Sequence, residues 1–174
     1  FEYAIVATGS RPSTVPALDI GSERVLDSTT ALELKDIPKT LLVIGGGYIG
    51  LEMATVYARL GSRVTIVEMT PTLLPGVDSD LVSVLAKQME SSVEQILLKT
   101  IVKEMKEQKN GVKVLMEGQD GESSSRVFER VLVAVGRRPN SNDIGLENTK
   151  VGTDDRGFVS VDEQRRTAES NIFA

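Results

Sequence analysis

Three glycines lie where an aliphatic segment of the chain gives way to a segment with helical periodicity. Gly45, Gly47 and Gly50 follow the aliphatic run at residues 40–44 in the spacing G-x-G-x-x-G. The first glycine of this pattern permits a tight turn, the second allows a phosphate to approach the backbone, and the third allows close helix packing. The helix start would add free N–H groups and a positive dipole. The spacing therefore predicts a pyrophosphate-binding turn.

An acidic residue, Glu68, ends the next aliphatic run, 18 residues after Gly50. A carboxylate at this position can accept hydrogen bonds from the hydroxyls of an adenosine ribose, and it would repel a 2′-phosphate. No arginine that could reverse this preference follows before Arg126. The site is therefore predicted to take NAD rather than NADP. A glycine-rich turn beside a surface glutamate, with no ligand, is the alternative interpretation.

The elements that position these residues are predicted to form a βαβ unit over residues 40–68. The first strand is aliphatic throughout, which is typical of a parallel strand buried on both faces. The helix should run to about Leu60 and stop at Gly61. Helical spacing predicts two faces, an apolar one and a small-residue one that allows close packing: Ile49, Met53, Val56 and Leu60, and Gly50, Ala54 and Ala58.

Two further helices are predicted on either side of the βαβ unit. A short helix should begin near residues 28–30, where Thr30 and Glu33 have the spacing of a capping box. A second helix should be capped by Asp78 or Ser79. The residues at helical spacing that follow this cap are Leu81, Val84, Leu85, Gln88 and Met89.

The hydrophobic period changes beyond residue 95. Strands are predicted at residues 95–100, 101–107 and 112–117, with helix as the alternative for residues 102–108. Asn110 and Gly111 favour a type I′ hairpin turn. Residues 118–125 should form a polar loop, and residues 131–135 another buried strand.

The pattern A-x-G-x-R-P occurs twice, at residues 7–12 and 134–139, each time after an apolar run. Gly and Pro commonly punctuate the ends of strands. We therefore interpret the two copies as similar strand exits rather than as a duplication.

Composition excludes several classes of site. The chain has no cysteine and no histidine, so it can form no disulfide, no Cys/His metal site and no Ser-His-Asp triad. The net charge of −5 argues against nucleic acid or an anionic membrane as a partner, because both require a basic surface. No segment has the pattern of a membrane span or a signal peptide.

One enzyme class from outside the dinucleotide-binding proteins shares part of this pattern. S-adenosylmethionine-dependent methyltransferases also combine a glycine-rich turn with an acidic residue after the second strand. They usually carry an acidic residue just before the first glycine, where this chain has Val43 and Ile44. They also lack the strands predicted from residue 95. Dinucleotide binding is therefore preferred.

Four segments resemble the flavin-dependent pyridine nucleotide–disulfide oxidoreductases, and dihydrolipoyl dehydrogenases most of all: residues 37–52, 73–80, 133–139 and 155–161. The resemblance covers essentially the whole chain. It implies an α/β fold: a Rossmann-like three-layer NAD(P)-binding domain with a parallel sheet and an antiparallel β-meander crossover.

In that family the NAD domain is inserted into an FAD domain, which implies a division of this chain. Residues 1–10 would end a strand of the FAD domain, and residues 11–145 would be the NAD domain, with the meander at 95–117. Residues 146–174 would return toward the FAD and dimerisation parts. The chain begins with Phe1 and ends in an apolar segment, so we expect it to be a piece of a longer protein.

The resemblance also implies site residues. Gly45, Gly46, Gly47, Tyr48, Ile49, Gly50, Leu51 and Glu52 would bind NAD. Within this set, Tyr48 would shield the flavin and Glu52 would lie near the nicotinamide. Glu68 would hold the ribose, with Val102 and Gly136 at the two ends of the dinucleotide. Thr8, Gly9 and Ser10 would contact FAD. Ordinary packing or turn geometry would also account for Tyr48, Val102, Gly136 and the Thr8–Ser10 turn, and a solvated helix face for Glu52.

The activity implied by the resemblance is electron transfer from dihydrolipoamide through a redox disulfide and FAD to NAD⁺. The partner would be a dihydrolipoamide-bearing domain of a 2-oxoacid dehydrogenase or glycine-cleavage complex, and the parent would be a homodimer in the cytoplasm or an organelle matrix. Another NADH-dependent disulfide reductase or an NADH oxidase is the alternative. The cysteines and the catalytic histidine would lie outside this segment, so the segment alone should bind NADH weakly without turnover.

Overall fold

The computed structural model describes residues 1–174 and contains twelve strands and three α-helices. The strands are β1 (Ala4–Ile5), β2 (Ser10–Pro12), β3 (Val25–Leu26), β4 (Thr40–Ile44), β5 (Arg63–Val67), β6 (Gln95–Leu97), β7 (Thr100–Gln108), β8 (Gly111–Gly118), β9 (Ser123–Phe128), β10 (Arg130–Val133), β11 (Arg137–Pro139) and β12 (Ile172–Phe173). The helices are α1 (Ser28–Leu32), α2 (Tyr48–Arg59) and α3 (Ser79–Glu90). The chain divides into two compact units, residues 12–136 and residues 1–11 with 137–174.

The larger unit is built on a parallel sheet of five strands in the order β3-β10-β4-β5-β6. Strand β4 lies at its centre, and Leu42 pairs with Thr65 on one side and Val131 on the other. The chain moves outward from β4 to β5 and β6 and then returns to the opposite side of β4 as β10. This reversal creates a switch point at the carboxyl end of β4, where open α/β sheets bind their ligands.

Alternate residues of β4 enter two different cores. Leu41 and Val43 pack against the helical layer, and Leu42 and Ile44 pack against an antiparallel sheet formed by β7, β8 and β9. The three layers confirm the predicted α/β fold with a parallel sheet and a meander.

The bounds of the meander differ from those predicted. Residues 95–97 form β6 of the parallel sheet, and the meander spans residues 100–128 rather than 95–117. Residues 102–108 are strand, so the helix alternative is wrong. Residues 123–125 belong to strand β9 rather than to a loop. Strand β10 ends at Val133, two residues before the predicted end.

The hairpin turn between β7 and β8 also differs from the prediction. Gln108 pairs with Gly111, which leaves Lys109 and Asn110 as the two turn residues. Neither has a positive φ, whereas a type I′ turn requires a positive φ at both positions. The type I′ prediction is therefore wrong. Gly111 instead lies against the carbonyl of Phe128 on the neighbouring strand.

The apolar face of α2 was predicted correctly at Met53, which is buried, but wrongly at Val56 and Leu60. Val56 and Leu60 are 38% and 49% exposed, whereas Tyr57 is 1% exposed. The buried residues of the helix are Gly50, Leu51, Met53, Ala54 and Tyr57. Small residues bring the helix close to the sheet, and the Tyr57 hydroxyl donates a hydrogen bond to the Ala31 carbonyl at 2.8 Å. The helix ends at Arg59 before Gly61 (φ +104°), as predicted.

The starts of the other two helices were placed correctly, but their details differ. Asp27 caps α1 by accepting hydrogen bonds from the N–H groups of Thr29 and Thr30, so the capping box pairs Asp27 with Thr30 rather than Thr30 with Glu33. Asp78 precedes α3 without a side-chain capping bond. Of the predicted apolar positions of α3, Leu81 and Val84 are exposed, Leu85 is partly buried and Met89 is buried.

The smaller unit contains two short ladders. Strand β1 pairs with β12 in parallel, and β2 pairs with β11. The two A-x-G-x-R-P segments thus supply strands β2 and β11 of one ladder. Arg11 donates hydrogen bonds to the Pro139 carbonyl and the Asn140 side chain, and Arg137 donates to the Ser10 hydroxyl. The structure thus places both copies at strand exits, as interpreted from the sequence.

Candidate functional site

The turn after β4 can be formed only with glycine at its first position. The Gly45 N–H donates to the Val67 carbonyl at 2.8 Å, which extends the β4–β5 pairing into the turn. Gly45 has φ +113°, and a Cβ there would lie 2.9 Å from the Ala134 carbonyl carbon and overlap its oxygen. The backbones of two neighbouring strands therefore meet at this residue.

The other two glycines of the pattern have opposite surroundings. A Cβ on Gly50 would overlap the Gly45 carbonyl oxygen and lie 3.3 Å from a Val43 methyl group. A Cβ on Gly47 would meet no atom within 4 Å. Gly50 therefore allows α2 to pack on the turn, and Gly47 keeps one side of the turn open. These are the surroundings expected if a phosphate approaches at Gly47.

The amino terminus of α2 lies at this open side. Gly47 is the N-cap residue, and its carbonyl accepts the first helical hydrogen bond from Leu51 at 3.0 Å. No side chain caps the helix, and its first turn holds no acidic residue. The first N–H groups of the helix and its positive dipole end are therefore available to an anion.

Glu68 is buried rather than on the surface, with 7% of its area exposed. One carboxylate oxygen accepts a hydrogen bond from the Gly46 N–H at 2.6 Å, and the other accepts one from the Thr70 N–H at 2.7 Å. The carboxylate thus joins the glycine turn to the loop after β5. Each oxygen keeps a second lone pair with which it can accept a hydroxyl hydrogen bond.

Apolar side chains are exposed where the strands end at this edge of the sheet. Tyr48 follows β4, Met69 follows β5, Leu98 follows β6 and Val135 follows β10, with exposed fractions of 64%, 71%, 38% and 40%. Because the strands are parallel, their carboxyl ends share one edge of the sheet. A series of exposed apolar groups around a polar turn is typical of a ligand-binding crevice.

The remaining predicted NAD residues contribute in different ways. Leu51 is buried in the helix-side core, Ile49 is partly buried and Glu52 is exposed. Val102 is partly buried against the meander-side core. Gly136 lies three residues beyond β10 with φ +117°, and its carbonyl accepts a hydrogen bond from the Ser13 N–H at 3.0 Å.

Thr8, Gly9 and Ser10 belong to the smaller unit. The Thr8 carbonyl accepts a hydrogen bond from the Asn140 side chain, and the Gly9 carbonyl accepts one from the Asn140 N–H. All three residues are exposed. Thr8 and Gly9 lead directly into strand β2, whose first residue is Ser10. The assignment of these residues to FAD stays a prediction.

Sequence reasoning missed the loop that covers Gly46. The Leu74 N–H donates to the Gly46 carbonyl at 2.9 Å, and Leu73 is 2% exposed. Residues 73–80 are one of the four segments that carry the family resemblance, and this resemblance is the signal that could have located the loop.

A family profile described as pyridine nucleotide-disulphide oxidoreductase matches residues 1–174. The chain belongs to this family. The methyltransferase alternative is therefore wrong.

Curated relatives in the family are dihydrolipoyl dehydrogenases. The chain is 43% identical to the one from Haloferax volcanii and 44% identical to those from Vibrio cholerae and Staphylococcus aureus, in each case over all 174 residues. The matches cover 36–37% of the length of these relatives. The chain thus spans just over a third of the curated relatives that it matches.

Solved structures with the same fold include a flavoprotein disulfide reductase. The HOCl-induced flavoprotein disulfide reductase RclA from Escherichia coli superposes with a TM-score of 0.85 at 32% identity, over 99% of this chain and 39% of that one. LpdA from Mycobacterium tuberculosis gives a TM-score of 0.83 at 28% identity, over 98% of this chain and 36% of that one.

Two other kinds of site are not present in the structure. No group of three or more acidic side chains is placed to hold a metal ion. No helix is long and apolar enough to cross a membrane.

Proposed function

We propose that the larger unit, residues 12–136, binds NAD(H) at the carboxyl edge of its parallel sheet. The observation that carries this proposal is the geometry of the glycine turn. Gly45 and Gly50 are packed against backbone, Gly47 is open, and the uncapped start of α2 faces the open side. Such a turn suits a pyrophosphate, which carries negative charge and can approach the backbone closely.

Glu68 would select NAD(H) over NADP(H). Its two oxygens each have one backbone N–H partner and one remaining lone pair, so the carboxylate can still accept the ribose hydroxyls. A 2′-phosphate would bring a second negative charge next to a buried carboxylate, which is unfavourable in a site of low dielectric constant. No arginine lies between Glu68 and Arg126 to offset this repulsion.

For the whole protein we propose the reaction of a dihydrolipoyl dehydrogenase: electrons pass from dihydrolipoamide through a redox disulfide and FAD to NAD⁺. The sequence identity of 43–44% to dihydrolipoyl dehydrogenases, over all 174 residues of this chain, supports this choice. The bound nicotinamide would supply hydride acceptance, and this chain's residues would hold the dinucleotide in place. The likeness to RclA supports the second candidate, another NADH-dependent flavoprotein disulfide reductase.

The proposed partner is a dihydrolipoamide-bearing domain of a 2-oxoacid dehydrogenase or glycine-cleavage complex. The proposed assembly is a homodimer in the cytoplasm or an organelle matrix. FAD would bind mostly outside this segment, with Thr8, Gly9 and Ser10 at its edge. The 174-residue chain would therefore bind NADH without dihydrolipoamide or diaphorase turnover.

Calorimetric titration with NADH, NADPH and S-adenosylmethionine tests the binding proposal. We expect NADH to bind more tightly than NADPH and S-adenosylmethionine to show no heat of binding. Equal affinity for NADH and NADPH would contradict the role of Glu68. Absence of NADH binding by the correctly folded chain would contradict the NAD(H) site itself.

The matched variants are Glu68→Gln and Glu90→Gln. Glutamine at position 68 keeps the size of the side chain but removes the charge, and its amide nitrogen cannot accept one of the two backbone N–H groups that the carboxylate accepts, so NADH affinity should fall more than NADPH affinity. Glu90 is exposed on α3 and belongs to none of the proposed binding residues, so Glu90→Gln should leave the NADH/NADPH ratio unchanged. Alanine at position 68 would be less informative, because it would free both the Gly46 and the Thr70 N–H groups.

A further inference from the structure

The middle glycine of the turn, Gly46, is not required by the G-x-G-x-x-G pattern, yet both of its peptide groups are held. Its N–H donates to the Glu68 carboxylate at 2.6 Å, and its carbonyl accepts the Leu74 N–H at 2.9 Å. Both partners follow the strand next to β4. The segment after β5 therefore fixes the turn from one side by hydrogen bonds.

Residues 69–77, which we call the clamp loop, are themselves fixed. Thr70 donates its N–H to Glu68 and accepts the Lys99 N–H at 3.0 Å, which ties the loop to the end of β6. Within the loop, the Thr70 hydroxyl donates to the Thr72 carbonyl at 2.7 Å, and the Val77 N–H donates to the Leu74 carbonyl at 3.0 Å. Leu74 and Lys99 both have positive φ, +46° and +51°, which is uncommon for residues other than glycine.

The side chain of Leu73 lies directly over Gly46. A Cβ on Gly46 would be 2.8 Å from the Leu73 Cδ2 and 3.1 Å from the Glu68 Cβ and Cγ. Leu73 is 2% exposed and belongs to the helix-side core. Because Gly46 has no side chain, the clamp loop packs directly against the turn.

Because the peptide bond is planar, these hydrogen bonds also fix the direction of the N–H group on the open side of the turn. The Gly46 carbonyl and the Gly47 N–H belong to one trans peptide group, so they point in opposite directions. Leu74 holds the carbonyl, and this fixes the direction of the Gly47 N–H. Glu68 fixes the preceding peptide group in the same way through the Gly46 N–H.

We propose that the clamp loop positions the glycine turn for the pyrophosphate, with Leu73 and Leu74 as positioning residues. This inference rests on the proposed NAD(H) site. Leu73 and Leu74 act through the backbone of Gly46 rather than by contact with the ligand. A turn already held in the binding geometry loses less conformational freedom when the dinucleotide binds. The protein therefore binds the dinucleotide more tightly.

A double-mutant cycle of Gly46→Ala and Leu73→Ala tests the proposal by NADH calorimetry. Gly46→Ala should weaken NADH binding by about tenfold or more, because the added methyl group displaces the clamp loop. Leu73→Ala should weaken binding by a smaller factor. The double variant should regain part of the affinity lost in Gly46→Ala, since the shortened Leu73 side chain removes the 2.8 Å contact, while the 3.1 Å contacts with the Glu68 Cβ and Cγ remain. Leu81→Ala, an exposed leucine on α3, is the matched control and should leave NADH affinity unchanged.

A second measurement does not depend on a ligand. In the free protein, hydrogen exchange at the Gly46 amide should be faster in Leu73→Ala than in the parent chain, while exchange within β4 is unchanged. A residue that serves only overall stability would raise exchange at both places.

The outcomes separate this inference from the proposed function. If the parent chain does not bind NADH, the proposed function fails and the inference fails with it. If the parent binds NADH and Gly46→Ala binds it equally well, only the clamp is refuted. Failure of the double variant to regain affinity, with Gly46 exchange unaltered in Leu73→Ala, would also refute it.

Discussion

The two ends of the parallel sheet use their polar groups in opposite ways. At the amino end, polar side chains bind the chain itself. Arg130 pairs with the Asp36 carboxylate at 2.5 Å, Glu129 accepts the Lys39 N–H at 2.7 Å, and Tyr57 donates to Ala31. At the carboxyl end, the start of α2 has no side-chain cap, and apolar side chains are exposed beside it.

We propose that stability and binding are separated between these two ends of the sheet. Polar side chains that bond within the chain at the amino end stabilise the folded state. Uncapped N–H groups and exposed apolar side chains contribute little to stability and are available to a ligand. Substitutions at the amino end should therefore change stability alone, and substitutions at the open side of the glycine turn should change binding alone.

The largest expected effect comes from Gly50→Ala at the carboxyl end. The new methyl group would overlap the Gly45 carbonyl, which is backbone and cannot move aside as a flexible side chain can. We expect the free energy of unfolding to fall by about 1–3 kcal/mol, as for an overpacked core, and NADH binding to be lost. Urea unfolding and NADH calorimetry measure the two effects.

Gly47→Ala is the matched control for this variant, because its methyl group meets no atom within 4 Å. It should cost less than about 1 kcal/mol of stability, as a change at an N-cap does, yet still weaken NADH binding by blocking the approach of the phosphate. Equal losses of stability in the two variants would contradict the distinction between a packed and an open glycine.

Tyr57→Phe tests the amino end of the sheet. Tyr57 is 1% exposed. Removal of its hydroxyl would leave the buried Ala31 carbonyl without a hydrogen-bond donor. The free energy of unfolding should fall by about 1–2 kcal/mol, with NADH affinity unchanged. Tyr48→Phe, at an exposed tyrosine, should leave stability unchanged. A loss of NADH affinity in Tyr57→Phe would show that the two ends are coupled.

The environment of Tyr57 also makes the free energy of unfolding depend on pH. Burial, with a smaller contribution from the negative charge of Asp36, raises the pKa of Tyr57 above its usual value, and Arg130 opposes this shift. Because the folded state favours the neutral phenol, this stabilisation is complete below about pH 10 and is lost as the pH rises through the folded pKa. Stability measured above pH 10 should therefore fall less steeply in Tyr57→Phe than in the parent chain.

The βαβ unit could be predicted closely from sequence because its signals are local. An unbroken aliphatic strand, a glycine turn and Gly61 determine the bounds of β4 and α2 to within about a residue. The buried face of α2 could not be predicted in the same way. It depends on α1, against which Tyr57 packs, so tertiary contact decided between two faces that both carry apolar residues.

Strand β9 and the clamp loop escaped prediction for different physical reasons. In β9 the residues at 123–125 are exposed serines and Phe128 is buried, so hydrophobic alternation gives no signal over most of its length. The clamp loop depends on a positive φ at Leu74, a residue type that rarely adopts it. The two partners of Glu68 are backbone N–H groups, so no pattern of residue types indicates them.

The smallest expected effect lies between the two ends, at Thr65 in the middle of β5. Its hydroxyl is buried with no hydrogen-bond partner, and alternation with Val64 and Ile66 places it on the meander side of the sheet. Thr65→Val replaces this unpaired hydroxyl with a methyl group of similar size. The free energy of unfolding should rise by about 0.5–1 kcal/mol, since the cost of burying the hydroxyl disappears.

Thr100→Val is the opposite case, because the Thr100 hydroxyl donates to the Leu98 carbonyl at 2.9 Å. That variant should lose stability while Thr65→Val gains it, as measured by urea unfolding of both. If both substitutions stabilised the chain, the gain in buried apolar surface, rather than the hydrogen bonding of each hydroxyl, would decide the change in stability. Unchanged NADH affinity in Thr65→Val would show that added stability in the middle of the sheet leaves its carboxyl end unaltered, as the separation of the two ends requires.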